Sequence, residues 1–188
     1  KAMITIRQEL AADAAAREAL LDAAYGPTRF EKPSQRLRVG RKPARGLAYV
    51  AVLGGRILGT IRLWDVSTGP DRPALLLGPL AVAPQHQGSG IGSALMRHAL
   101  AAATRRGHAA VLLVGDLGYY RRFGFSAEHT GRLWLPGLLD KGRLLGCELR
   151  AGALEGVRGA IRAPKLPARA PLAAAAAVFA PSLKPKAA

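Results

Sequence analysis

Leu75–Phe125 reads LLLGPLAVAPQHQGSGIGSALMRHALAAATRRGHAAVLLVGDLGYYRRFGF. In order it carries an apolar strand, a glycine-rich turn, an amphipathic helix, a second apolar strand and a short tyrosine-bearing helix. Leu75–Val82 is apolar throughout apart from Gly78 and Pro79, the pattern of a strand buried on both faces. Proline has no N–H for the ladder and glycine has no side chain to pack, so a bulge or splay is expected at Gly78-Pro79. Gly88, Gly90 and Gly92 follow at alternate positions, where backbone without Cβ can close around a bulky group with its N–H groups turned inward. The helix begins at once, with Ile91, Leu95, Ala99 and Ala102 on one face and Gly107 as its stop. Its free N–H groups and dipole add to the same concavity, which reads as an anion cradle. The plainer reading is a glycine-rich connection with no ligand.

The spacing excludes two other nucleotide motifs. It differs from the dinucleotide fingerprint, and the Gly-Lys-Ser/Thr of a Walker loop is replaced by Gly92-Ser93-Ala94. Gln85-x-x-Gly88-x-Gly90 after an apolar strand instead resembles the acetyl-CoA pyrophosphate motif of the GNAT (Gcn5-related) N-acetyltransferases. Val111–Val114 looks like that family's next strand, and Tyr119-Tyr120-Arg121-Arg122-Phe123-Gly124-Phe125 like its tyrosine-bearing ending. Within the family, Leu77–Val82 and Leu113–Phe125 look most like the YhbS-type acetyltransferases.

The resemblance implies an α/β (α+β) fold, a mixed and mostly antiparallel sheet with a central splay, flanked by helices. It further implies an acetyl-CoA-dependent N-acetyltransferase that moves an acetyl group directly to a primary amine, on a small molecule, a peptide or a protein. Leu80, Ala81 and Val82 would pair with the pantetheine amides. Gln85 and the backbone of Gln87, Gly88, Ser89, Gly90, Ile91 and Gly92 would hold the pyrophosphate. Backbone at Leu80 would receive the oxyanion, and Tyr120 would protonate the departing thiolate. Tyr119 reads as packing, and Arg121 and Arg122 as surface arginines near the nucleotide phosphates. The buried strand supplies no acid between Leu75 and Val82, leaving Asp116, and more remotely Glu9, Glu31 and Asp65, as candidate bases. A water relay, or an acceptor amine already partly neutral, serves equally well.

The rest of the chain supports this centre. Its 188 residues, 49% hydrophobic, suffice for one core, expected over residues 1–163, with a basic Ala/Pro-rich extension over 164–188. A native start at Met3 is expected. No apolar run approaches the roughly 20 residues of a membrane span, no leader pattern is evident, and Cys147 is alone, so a cytoplasmic location is expected. The four histidines lack metal-ligand spacing, and no metal site is expected. Ile4 and Ile6 alternate as an edge strand. Ala11–Tyr25 reads as a helix with Leu10, Ala14, Leu21 and Ala24 on its buried side. Leu47–Leu53 and Arg56–Leu63 form a hairpin around Gly54-Gly55, Asp65–Pro73 is a loose connection, and Trp64 is expected in the core. Leu133–Leu135 and a final strand Leu144–Leu149 follow, and Leu172–Phe179 has the composition for two helical turns.

Residues 29–45 hold Arg29, Lys32, Arg36, Arg38, Arg41, Lys42 and Arg45 against one acid, Glu31. They read either as the solvated face of an amphipathic helix capped by Ser34, or as a funnel for an anionic acceptor or RNA. The chain carries 28 Lys and Arg against 12 acids, a formal charge of +16, which attracts nucleic acid non-specifically whatever the activity. Two further readings therefore stand beside the enzyme: a nucleic-acid-associated protein, and a CoA-binding fold without catalysis. Oligomeric state is left open.

Overall fold

The computed structural model describes residues 3–164. Six strands form one sheet in the order β1-β2-β3-β4-β5-β7. These are β1 (Thr5–Gln8), β2 (Ala48–Leu53), β3 (Arg56–Ser67), β4 (Pro73–Val82), β5 (Ala110–Val114) and β7 (Leu144–Glu148). Every neighbouring pair is antiparallel except β4 and β5. The parallel pair requires a crossover, supplied by helix α2 (Ile91–Arg105). The sheet is mixed and mostly antiparallel, as expected.

Alternation along the strands sends successive side chains to opposite faces. Ile61, Leu63, Leu75, Leu77, Val111 and Leu113 join one core with Ile91, Leu95, Met96, Ala99 and Ala102 of α2. Trp64, Val66, Leu76, Leu112 and Leu144 join a second core on the other face with Leu133, Leu154, Val157 and Ile161. α2 lies so near β3 that a Cβ on Gly59 would stand 2.9 Å from both Ile91 Cγ2 and Leu95 Cδ1. That approach fixes the depth at which the N-terminus of α2 sits.

The helix over Ala11–Tyr25 is a short 3-10 turn, Ala11–Asp13, followed by α1 (Ala14–Tyr25). Its buried side differs from the apolar stripe expected. Leu10 is exposed, while Asp13, Arg17, Leu20 and Leu21 are buried. Ion pairing explains the exchange: the Glu9 carboxylate accepts hydrogen bonds from both Arg17 and Arg62, and Asp13 accepts from Arg7 at 2.7 and 2.9 Å. Paired charges can be buried where unpaired ones cannot.

Residues 27–37 form two 3-10 turns, Pro27–Glu31 and Pro33–Leu37, instead of an amphipathic helix. Pro33 explains the break, since it disfavours helical geometry in the residue before it. Ser34 lies inside the second turn and caps nothing; its Oγ accepts from Arg38 Nη2 at 2.8 Å. β3 runs on through Ser67, so part of the loop expected at Asp65–Pro73 is strand. α3 (Leu117–Tyr120) continues into a 3-10 turn at Arg121–Phe123. β7 is not the last strand: β6 (Leu133–Trp134) and β8 (Gly159–Ala160) pair in parallel as a small second sheet. The helical turns expected at Leu172–Phe179, and nearly all of the extension, lie outside the described residues. No helix among the described residues is long and apolar enough to cross a membrane.

Candidate active site

The site begins as a defect in the sheet. The β3–β4 register runs Leu63↔Leu77 and then Ile61↔Leu80, so Gly78 and Pro79 together oppose Arg62 alone. This is a bulge at the position expected from the Gly-Pro pair. The bulge leaves the Gly78 carbonyl out of the ladder, and the buried Trp64 indole N–H donates to it at 2.6 Å. On its other edge, β4 pairs with β5 only at Leu75↔Val111 and Leu76↔Leu112. Beyond these two residues the strands part, and the gap between them is the candidate site.

Bond parity shows which backbone groups face the gap. Ala83 N–H donates to Leu58 O at 2.8 Å, so Ala83 faces β3. Residues along a strand alternate in the edge to which they bond. Ala81 therefore also turns its backbone to β3, while Leu80 and Val82 present N–H and C=O to the gap. The Leu80 carbonyl confirms this parity by accepting a hydrogen bond from the Tyr25 hydroxyl on α1.

Two cavities meet at Leu80 and Tyr25. The first, about 460 Å³, is lined by Ala81, Val82, Gln87, Gly88, Gly90, Ile91, Gly92, Ser93, Tyr119 and Arg122. Gly88 and Gly90 have φ of 79° and 85°, a left-handed conformation that any other residue adopts only with strain. The first helical hydrogen bond is Ala94 N–H to Gly90 O at 2.9 Å, so the N–H groups of Ile91, Gly92 and Ser93 lie in the first turn with no partner inside the helix. Two expected N–H donors bend back locally: Gln87 reaches Pro84 O at 3.3 Å and Ser89 reaches His86 O at 3.4 Å. Gln85 and Ser89 do not line the cavity, and the Ser89 hydroxyl is turned to His86 O.

The second cavity, about 260 Å³, lies on the other side of Leu80. Its wall includes Leu21, Tyr25, Lys32, Ser34, Arg38, Gly78, Pro79, Leu113, Tyr120 and Arg143. Tyr120 thus belongs to this cavity and Tyr119 to the other. The Tyr120 ring occupies the space left by Gly115, where a Cβ would lie 2.2 Å from its Cε2, and it packs edge-on to Tyr119 at 4.9 Å. Burial pushes the Tyr120 phenol well above its ordinary pKa, Tyr25 and Tyr119 push the same way, and Arg143 opposes them. Desolvation likewise raises the Tyr25 phenol.

Among the described residues, no Asp or Glu lines either cavity. Asp116 is occupied as the cap of α3, its Oδ1 accepting from Tyr119 N–H at 3.1 Å. Glu9 is held by its two arginines, and Glu31 and Asp65 are exposed away from the gap. The basic segment divides. Arg29, which also lines the second cavity, pairs with Glu18 and Asp22 at 2.6 and 2.8 Å, whereas Arg38 turns inward beside Gly78 with no carboxylate partner among the described residues. Sequence reasoning named Arg38 only as one of seven basic residues that could draw in an anionic acceptor, and it missed Tyr25, Gly115 and the indole bond of Trp64. Tyr25 and Trp64 act through Leu80 and Gly78, remote in the chain, and Gly115 acts through a ring five residues on that only the fold turns back onto it.

The acetyltransferase (GNAT) domain matches residues 44–127, and the chain belongs to the GNAT family of N-acetyltransferases. The N-acetyltransferase YhbS of Escherichia coli K12 is 30% identical over 159 residues, covering 83% of this chain and 93% of YhbS. The crystal structure of E. coli YhbS in complex with CoA has a TM-score of 0.74 at 28% identity, over 87% of this chain and 91% of that one. A GNAT acetyltransferase from Brucella melitensis in complex with acetyl-CoA has a TM-score of 0.59 at 37% identity, over 67% and 84% of the two chains.

Proposed function

We propose that the protein transfers the acetyl group of acetyl-CoA directly to a primary amine, with the thioester placed at Leu80 where the two cavities meet. The observation that carries this reading is the outward-facing backbone of Leu80 and Val82 beside a helix N-terminus with unengaged N–H groups. Such edges fit pantetheine amides, and such a terminus fits a pyrophosphate. The structures of relatives with CoA and with acetyl-CoA support the same cosubstrate.

Acetyl-CoA supplies an activated acyl carbon, and the chain's own groups manage charge and protons around it. The acceptor nitrogen forms a bond to that carbon as Leu80 N–H receives the charge growing on oxygen. When the carbon–sulfur bond breaks, the Tyr120 hydroxyl donates to the sulfur. A phenol raised above its ordinary value of about 10 gives a proton to a thiolate of about 8.5 only uphill, so the step depends on a proton returning to the phenolate oxygen. The transfer is completed as the oxygen of Tyr120 recovers the proton given up by the acceptor nitrogen, so the proton lost by the amine ends on CoA. Without a carboxylate in the wall, the positive field of Lys32, Arg38 and Arg143 favours the neutral amine needed for attack.

Thermal unfolding with saturating acetyl-CoA, against ATP as a phosphate control, tests the cosubstrate. Ligand at a hundred times its Kd adds about 2.7 kcal/mol, and about 2–4 °C per kcal/mol is expected at this chain length. A rise well beyond that with ATP is the expected result. An equal rise with both reduces the effect to charge attraction and removes the proposal.

A further inference from the structure

The second cavity carries more positive charge than keeping an acceptor amine neutral calls for. Arg38 projects into it with its guanidinium against the bulge, where a Cβ on Gly78 would lie 3.1 Å from Arg38 Nη2. One hydrogen bond is made from that nitrogen, to Ser34 Oγ at 2.8 Å. Arg38 Nε is buried and has no hydrogen-bond partner among the described residues. Lys32 stands at the rim with Nζ 3.8 Å from the centre of the Tyr25 ring, and Arg143 is also in the wall. The three cations share one field. The Lys32 ammonium is pushed down first by desolvation and then by Arg38 and Arg143, and burial lowers Arg38 from 12.5 to about 10.

No carboxylate answers these charges. Among the described residues none of the three is in a salt bridge. A largely buried guanidinium with no counter-charge is costly unless an anion pairs with it. An acceptor carrying only positive charge, such as a polyamine, would meet repulsion from three sides. An acceptor carrying its own anion would pair with Arg38 and leave its amine free to face Leu80 within the remaining field of Lys32 and Arg143.

We infer that the acceptor is a small primary amine that also bears an anionic group, a carboxylate or a phosphate, seated on Arg38 with Lys32 and Arg143 at the rim. This rests on the acetyl-transfer reading of the same site. The planar guanidinium fits either anion in a two-point contact, and the anion fixes the end of the acceptor away from the thioester.

Matched acceptors test the inference. Release of CoA thiol is followed with O-phosphoethanolamine against ethanolamine, β-alanine against β-alaninamide, and spermidine as the cationic case. At least one anionic member is expected to exceed its neutral partner about tenfold or more in kcat/KM, as loss of a charge-assisted contact implies. The preferred pair tells phosphate from carboxylate. Arg38→Gln should bring the pair to near parity, Arg38→Lys should restore part of the preference, and Arg56→Gln, on the distant β2–β3 hairpin, should leave it intact. Equal rates for charged and neutral members, a preference for spermidine, or a preference that survives Arg38→Gln would overturn the inference. If none of these amines is turned over, calorimetry of O-phosphoethanolamine and β-alanine with the CoA-saturated protein decides. Binding abolished by Arg38→Gln supports the inference, while binding of neither, or binding that persists in Arg38→Gln, overturns it. The thermal shift with acetyl-CoA separates the two levels: its absence sinks the acetyl-transfer reading, and an intact shift with no anion preference sinks this inference alone.

Discussion

Tyr120, the proton donor we propose, is held by a vacancy at Gly115. Gly115→Ala would put a methyl 2.2 Å from the Tyr120 ring and turn the phenol out of the cavity. We expect kcat to fall by up to about 10²-fold with the KM for acetyl-CoA little changed, because misplacing a reacting group by about 1 Å has that effect. Tyr120→Phe should lower kcat by about 10²–10⁴-fold, with an unchanged thermal shift by acetyl-CoA. The pH dependence has a definite sign. Burial raises the Tyr120 pKa, so the phenol keeps its proton to higher pH than free tyrosine, and its alkaline limb in kcat should lie above the ordinary value of about 10. A limb at or below that value, present in the parent and lost in Tyr120→Phe, would contradict the assignment. Neither the vacancy nor the inward turn of Arg38 was legible in the sequence. Gly115 lies in an unremarkable Val-Gly-Asp step, and an arginine among seven basic residues reads as solvated until its surroundings are known.

At the scale of elements, the bulge in β4 was legible because proline removes a donor wherever it stands. Its brace was not, since the Trp64 N–H finds its partner only once β3 and β4 are in register. Trp64→Phe keeps the bulk and abandons the Gly78 carbonyl. The expected cost is about 1–3 kcal/mol for a buried unsatisfied group, read as a fall of several degrees in Tm, with a loss of kcat if the Leu80 N–H has the role proposed for it. The α2 face was read correctly because Ile91, Leu95, Ala99 and Ala102 repeat at helical spacing. The α1 face was read correctly at Leu21 but not at Leu10, which is exposed, nor at Asp13 and Arg17, which are buried, because apolar periodicity does not register an ion pair. Arg7 and the Leu10 N–H together hold the Asp13 carboxyl at about 2, down from 3.8. A depressed carboxylate stabilises the fold above its unfolded pKa, and that contribution fades as pH falls through the folded value. Asp13→Asn should therefore lower Tm at neutral pH, and the difference from the parent should shrink between pH 4 and pH 2.

For the molecule as a whole, charge sets behaviour that the fold does not. A formal +16 predicts binding to RNA and DNA alike, without base preference, and a steep loss of affinity with salt. For about 6–10 phosphate contacts the fall is about 10³–10⁵ between 50 and 200 mM salt. Filter-binding titrations with two unrelated RNA sequences would check this, and a base preference that persists at high salt would revive a specific nucleic-acid role. The sheet order was largely legible, because hairpin turns and one crossover helix fix it. The small β6–β8 sheet was not, since two-residue strands carry no period.

The Tyr25 hydroxyl occupies the carbonyl of Leu80, which a pantetheine amide would also claim. A carbonyl oxygen has two lone pairs, so the arriving molecule either shares that oxygen with the phenol or pushes it aside. Because Tyr25 walls both chambers, any shift of its ring reaches the neighbouring one as well. Occupancy of one chamber should then change affinity in the other, and the two substrates should bind interdependently in initial-rate kinetics.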